Sequence, residues 1–300
     1  MSTTKYWVAG HITTFFQIDD EKEDLLSKGS CGAGFNINRG VITEVIETPN
    51  DEFKIFINDK QIESGFNEIP KTALTLLNNQ LSQIDRNFTI KYTFEVPIGS
   101  GFGTSAAGSL GTIFALNDYF NLKLDSLSIW QLAHKIEIIN KTGLGDILGL
   151  YSHSNFEMRV KAGAPGVGEV LALNFDIKNY DLYTLTLGPL SKKLILSDVE
   201  KRSIISSSGK STLLELQKNC NFLNFNNLSL KFANTINLQS KELKEIINGF
   251  KEPFLASQIL LGDSLYFFVP KNEFNPEFNP KLLSYSVVKE ELTNRPVKKL

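Results

Sequence analysis

Cysteine is nearly absent: Cys31 and Cys220 are the two, and neither sits in a C-x-x-C or a Cys/His spacing, which excludes a disulfide framework and a zinc site of the usual pattern. Long apolar runs are missing as well. The opening M-S-T-T-K-Y-W-V-A-G-H-I-T-T has no unbroken stretch of the about 7–15 apolar residues of a secretion signal, and nowhere do about 18 run together. The expectation is a cytoplasmic protein with no membrane partner. Charge of one sign is lacking too, since 31 lysines and arginines against 33 acids leave a formal net charge of −2. No basic excess exists to neutralise a run of phosphates, so a nucleic-acid partner is not expected. Arginine occurs only at positions 39, 86, 159, 202 and 295; lysine carries the generic solvated charge.

What is present is a chain of 300 residues, 42% hydrophobic and 21% charged. That is enough for one large or two medium domains at about 150 residues each. Residues 5–8, 34–47 and 53–57 are rich in β-branched and aromatic side chains and predict strands. Pro70 to Gln83 has helical spacing, and Phe88 to Val96 alternates with period two. A glycine-rich stretch follows, then a helix of small and apolar residues over Ser105–Tyr119. Asp125 is the expected N-cap of a helix reaching Asn140, with Gly143 as its stop and Ile129, Leu132, Ile136 and Ile139 as its buried stripe. Phe156–Val160 and Glu169–Leu173 predict a hairpin, and Asp181–Leu187 a strand. A capping box at Ser197-Asp-Val-Glu200 opens a run of helices expected to reach about Gly262. Strands at Leu265–Pro270 and near Tyr285–Val288 close the chain, and a domain boundary is expected near 190.

Three constellations could carry chemistry. The first is P-I-G-S-G-F-G-T-S-A-A-G, Pro97 to Gly108, between a strand and a helix. Gly99, Gly101 and Gly103 allow backbone N–H groups to turn inward, and the helix start adds a positive dipole end; the same residues also suit a tight turn that only packs closely. It is neither a Walker A nor a Rossmann fingerprint. Ser208-Gly-Lys-Ser-Thr212 ends like a Walker A, but Ile204 stands where that motif needs glycine, and a helix start is the expected reading.

The second is A-H-K-I-E, Ala133 to Glu137, followed by T-G-L-G-D, Thr142 to Asp146. Glu137 either looks into a cleft or pairs with Lys141 on the helix surface. Asp146 either caps Ile147–Leu150 or is the second carboxylate of a reacting pair. Beside a phosphate cradle, two carboxylates suit phosphoryl transfer, one holding Mg²⁺ and one deprotonating or orienting a hydroxyl. The third is His11 with Arg159. Arg159 is either a carboxylate fork or an ordinary exposed strand residue, and His11 either a core or turn histidine or a catalytic one.

The order of these segments resembles the GHMP kinase superfamily, with its P-x-x-x-G-x-G-S-S-A loop, and within it the archaeal pantoate kinases. A-G-H-I-T-T-F-F at 9–16, G-S-C-G-A-G-F at 29–35, the loop at 97–108, T-G-L-G-D at 142–146, G-A-P-G at 163–166 and S-Q-I-L-L-G at 257–262 carry the likeness. It implies an α+β two-domain GHMP kinase fold, with an N-terminal ribosomal-protein-like α/β domain over 1–190 and a C-terminal ferredoxin-like domain over 191–300. It implies transfer of the γ-phosphoryl of ATP to pantoate, giving 4-phosphopantoate for coenzyme A synthesis. Ser105 and Glu137 would hold Mg²⁺, and Asp146 would be the base. Pro97, Gly99, Ser100, Gly101, Gly103, Thr104, Ser105, Ala106 and Ala107 would form the ATP loop, and His11 and Arg159 would bind substrate. Thr104 replaces the first loop serine and keeps its hydroxyl, while Cys31 and Thr14 stand where arginine and glycine are expected. The alternatives are a GHMP-type kinase of another hydroxy acid or alcohol, and a non-catalytic nucleotide-binding regulator. A homodimer is expected.

Overall fold

The computed structural model describes residues 3–48, 53–62, 68–78, 88–190, 198–275, 277 and 279–300. Two long strands, β1 (Thr3–Asp19) and β2 (Gly29–Glu47), pair antiparallel along their whole length and form the spine. β1 is far longer than 5–8 suggested, and β2 begins five residues before the expected 34–47. Register shifts at Ala9/Gly10 and Thr13/Phe15 reset the alternation of faces, so a strict period-two count stops short. β3 (Lys54–Ile57) and β5 (Phe88–Phe94) follow the sequence closely, with a short β4 (Lys60–Gln61) between them. The first sheet runs β12-β1-β2-β5-β3-β4, with β6 (Phe156–Lys161) also on β2 and β7 (Glu169–Leu173) on β6; here β12 is Val297–Lys299.

The helices lie against this sheet. They are α1 (Glu68–Leu76), α2 (Thr104–Tyr119), α3 (Ser126–Asn140) and α4 (Asp146–Tyr151). The expected continuation of α1 over 79–83 lies outside the described residues. α2 is buried around much of its circumference, as its small residues require. Asp125 caps α3 through Ser128 N, and the helix ends at Asn140 as expected; its C-cap is Lys141, left-handed at φ 56°, rather than Gly143. Ile139 points to solvent rather than into the stripe. These elements enclose one core around Val8, Val45, Tyr92 and Leu110.

The second sheet runs β11-β8-β10-β9, all antiparallel. Its strands are β8 (Tyr180–Pro189), β9 (Leu255–Ile259), β10 (Gly262–Pro270) and β11 (Val287–Glu290). Helices α5 (Val199–Lys218), α6 (Phe222–Ile236) and α7 (Lys241–Asn248) cover it and the far half of β1. Ser197 of the expected capping box is outside the described residues, and the cap is Asp198, which accepts from Lys201 N. The helical run ends at Asn248 instead of Gly262, because Leu255–Ile259 is a strand buried at every position, a pattern that periodicity cannot separate from a buried helix. The Ser208–Thr212 segment lies inside α5, neither a P-loop nor a helix start. The architecture is α+β with two sheets. Sheet membership does not divide at 190: β8 precedes that point yet belongs to the second sheet, and β12 returns to the first.

Candidate active site

The glycine loop leaves β5 at the exposed Pro97 and enters α2. Gly99, Gly101 and Gly103 have φ of 73°, 93° and 66°, the left-handed region that side-chain-bearing residues resist. Gly103 is the N-cap of α2 and no side chain caps the helix, so the positive end of its dipole is open to an anion. The loop is walled on both sides. A Cβ at Gly101 would lie 2.7 Å from Ile259 Cγ2 and from Leu260 O, and one at Gly103 would lie 2.9 Å from His11 O; His11 N donates to Phe102 O at 3.1 Å. Ser100 and Thr104 are buried within the loop. Ala106 and Ala107 turn their methyl groups into the core, and the amide of Ala107 already donates to Gly103 O at 3.0 Å.

Ser105 is half-buried in the first turn of α2, and its Oγ donates to Glu137 Oε1 at 2.6 Å. Ser109 Oγ and Thr142 Oγ1 donate to the same oxygen at 3.0 and 2.8 Å. Glu137 is only 2% exposed, so the surface pair with Lys141 does not form. Its other oxygen lies beside Gly143, where a Cβ would come within 2.4 Å of Glu137 Oε2 and 3.3 Å of Asp146 Oδ2. The two carboxylates therefore flank the same glycine.

Asp146 opens α4, but Gly145 occupies the cap position, and the Asp146 side chain turns to His11 instead. His11 Nδ1 is 2.9 Å from Asp146 Oδ1, and Thr13 Oγ1 donates to that oxygen at 3.3 Å. The second ring nitrogen, Nε2, is 3.1 Å from Glu157 Oε1, and Arg159 Nη1 donates to Glu157 Oε1 at 2.7 Å. His11, Glu157 and Arg159 have no exposed surface, while Asp146 keeps 15% of its side chain exposed. Burial works against charge on His11, but its hydrogen bonds to Asp146 and Glu157, with the negative charge of both, outweigh it and raise its pKa above the ordinary histidine value. The reading of Arg159 as an exposed strand residue is excluded. Its guanidinium lies behind Gly145, where a Cβ would approach Ser30 Oγ as well as Arg159 Nε, the latter at 2.9 Å. Arg159 Nε and Nη2 have no hydrogen-bond partner among the described residues.

A narrow cleft lined by Thr13, Ser30, Gly101, Gly143, Gly145, Asp146 and Leu260, among others, runs between the glycine loop and Asp146, with Arg159 behind its Gly145 wall and Glu137 behind Gly143. A wider groove of about 930 Å³ along β6, β7, β8 and β11 contains none of the expected site residues. Glu157 escaped the sequence reading, although Arg159 stands two residues away on one strand and period two puts both on one face. Thr13 and Ser30 escaped it because lone hydroxyls carry no pattern. Among the described residues no three His, Cys, Asp or Glu side chains gather as a metal cage. A hydroxyl and a carboxylate, Ser105 and Glu137, suit a cation that takes its remaining oxygens from a phosphorylated ligand and water, as Mg²⁺ does. Among the described residues no helix is long and apolar enough to cross a membrane.

The profile of the GHMP kinases N terminal domain matches residues 68–152, which include α2, α3 and the glycine loop. A pantoate kinase of Thermococcus kodakarensis is 33% identical over 277 residues, 89% of this chain and 88% of that protein. A solved structure described as a phosphotransferase related to the CoA biosynthesis pathway is 29% identical, with a TM-score of 0.84 over 100% of this chain and 99% of the other. A solved complex of MDDEF with MVAPP, AMPPCP and magnesium has a TM-score of 0.73 at 12% identity over 99% and 98% of the two chains, a likeness of fold alone. Matched over nearly nine tenths of its length at 33% identity and in fold from end to end, the chain belongs to the pantoate kinase family of the GHMP kinases.

Proposed function

We propose that this chain transfers the γ-phosphoryl group of ATP to the hydroxyl of pantoate, giving 4-phosphopantoate for coenzyme A synthesis in the cytoplasm. The observation that carries the reading is a cleft bounded by the glycine loop at Gly101, which leads into an uncapped helix N-terminus, and by the partly exposed carboxylate of Asp146, with the buried guanidinium of Arg159, two of its donors unpartnered among the described residues, directly behind the Gly145 wall. Full-length likeness to pantoate kinases supports the substrate class, and the complex containing AMPPCP and magnesium supports ATP with Mg²⁺ on this fold.

The left-handed backbone at Gly99, Gly101 and Gly103 and the uncapped start of α2 bind the triphosphate, with Ser100 and Thr104 fixing the loop from inside. Ser105 and Glu137 hold Mg²⁺, which supplies neutralisation of the charge that develops on the transferring phosphoryl group. Asp146 accepts the proton of the pantoate hydroxyl as that oxygen bonds to phosphorus and the bond to the β-phosphate breaks, releasing ADP. Arg159 Nε and Nη2 meet the pantoate carboxylate, whose two oxygens match a guanidinium fork. Leu144, Leu260 and Leu261 wall the cleft and keep water from competing with the acceptor hydroxyl.

Coupled ADP release with ATP and Mg²⁺, measured against pantoate, pantothenate, mevalonate and homoserine, tests this reading. Pantoate should be the best acceptor by kcat/KM. Faster turnover of any other member of the panel overturns the assignment of substrate, and ADP release with none of them overturns the assignment of kinase.

A further inference from the structure

His11 sits where β1 passes from the core around Val8 to a second core around Ile12, Phe15 and Phe232, and its side chain has no exposed surface. Gly149 of α4 passes so close that a Cβ there would lie 2.3 Å from His11 Nε2. On β2 the neighbours are Asn36 and Gly34, and from the phosphate loop it is Gly103; none of these brings charge. The titratable and charged groups that face the ring are Asp146 from α4 and Glu157 and Arg159 from β6.

Both ring nitrogens point at carboxylate oxygens, Nδ1 at Asp146 Oδ1 (2.9 Å) and Nε2 at Glu157 Oε1 (3.1 Å). A neutral imidazole has one donor and one acceptor, so in that form one lone pair would face an anion; only imidazolium donates to both. Acceptance of a hydrogen bond by Nε2 from Arg159 would not remove this conflict. Arg159 Nη1 is 3.4 Å from Nε2 but 2.7 Å from Glu157 Oε1, so guanidinium and ring are two donors converging on one oxygen. Along Asp146, His11, Glu157 and Arg159 the charges then alternate and sum to zero, which is what burial of four ionic groups requires.

We propose that Glu157 is a positioning residue for phosphoryl transfer: it keeps the His11 ring doubly protonated, and the ring clamps Asp146 through Oδ1 while Oδ2 lies beside Gly143 in the cleft. The catalytic part rests on the kinase reading above, whereas the state of the ring does not. A cation at Oδ1 holds Asp146 as the anion that must accept the hydroxyl proton, and a fixed Oδ1 sets the direction in which Oδ2 accepts it. Glu157 touches neither ATP nor pantoate; it acts through His11.

The chain has three histidines, and the other two differ in the needed direction. Burial pushes His134 down to about 4 and lowers His153 as well. Imidazole ¹⁵N spectra of the full chain without nucleotide or substrate, with His134→Gln and His153→Gln to assign the signals, should show one imidazolium and two neutral rings at neutral pH. In Glu157→Gln the His11 midpoint should fall by about 1–3 pH units, the usual effect of one close opposite charge. The alkaline limb of kcat should fall with it, with ATP KM unchanged, and Glu157→Asp should restore part of both. A His11 ring that is neutral in the parent at neutral pH overturns the proposal, and so does an unchanged His11 titration or an unchanged kcat profile in Glu157→Gln. If that variant fails to fold, the parent spectrum and Glu157→Asp decide by the same criteria. An imidazolium that responds as expected in a chain phosphorylating nothing in the substrate panel supports the clamp and overturns the kinase reading alone.

Discussion

Arg159→Ala removes a guanidinium with no exposed surface and leaves the equally buried Glu157 without the cation 2.7 Å away. Breaking one side of a buried ion pair costs about 3–5 kcal/mol. At about 2–4 °C per kcal/mol for a domain somewhat smaller than this one, the melting temperature falls by about 6–20 °C. His11, 3.1 Å from the same Glu157 oxygen, compensates part of the lost charge and favours the lower end. Binding suffers separately. Loss of a charged hydrogen bond to the pantoate carboxylate costs about 1.5–3 kcal/mol, which raises pantoate KM by about 10–150-fold and leaves ATP KM near the parent value. Arg159→Lys separates the two effects, because an ammonium still answers Glu157 but cannot donate two parallel bonds from one plane. It should recover most of the melting temperature while pantoate KM stays raised. Thermal melts by fluorescence, with coupled ADP release at varied pantoate and then varied ATP, read both quantities. An alanine variant that melts with the parent refutes the buried-pair account. Unchanged pantoate KM in that variant, or equal damage to pantoate and ATP, refutes the carboxylate anchor.

Asp146→Asn should lower kcat by about 10²–10⁴-fold with ATP KM broadly intact, since the amide keeps the shape but cannot take the hydroxyl proton; steady-state kinetics within about threefold of the parent, well short of that range, would leave Asp146 as part of the fold only. Ser105→Ala and Glu137→Gln should each raise the Mg²⁺ concentration needed for half-maximal turnover, because each removes or weakens an oxygen ligand. With Ser105 Oγ 2.6 Å from Glu137, the double variant should fall short of the sum of the singles. Mg²⁺ titrations of both single variants that overlay the parent would move the cation elsewhere.

The parts of the site that lie close together in sequence were legible from it. Loop glycines between a strand and a helix, and Glu137 and Asp146 about a turn of helix and a short loop apart, are local patterns with direct chemical meaning. What joins them is not local. His11 reaches Asp146 across 135 positions and Glu157 across 146, and such pairings follow from the register of β1, β2 and β6, which alternation alone does not fix. The bulges that hide the length of β1 also reset which residues face Glu157. β9 was lost for another reason: Ser257 and Gln258 are buried polar residues in a five-residue strand, so its sequence looks amphipathic while its surroundings are entirely interior. The closing strand β12 is three residues of Val-Lys-Lys and gains its place by pairing with Tyr6, Trp7 and Val8, not by propensity.

The glycine loop is held between the backbone of His11 and the turn at Ile259 and Leu260, so its two walls come from different sheets. Glycine chains are floppy when unsupported, and an anion that must first order one loses affinity to that entropy. Here the ordering is done when the chain folds. The same contact makes the second sheet a silent participant in nucleotide affinity: a bulkier side chain at Gly101 or a smaller one at Ile259 would loosen the loop without touching a phosphate. Drift in the side chains under the loop is thus a route by which relatives with identical glycines can come to differ in their grip on ATP.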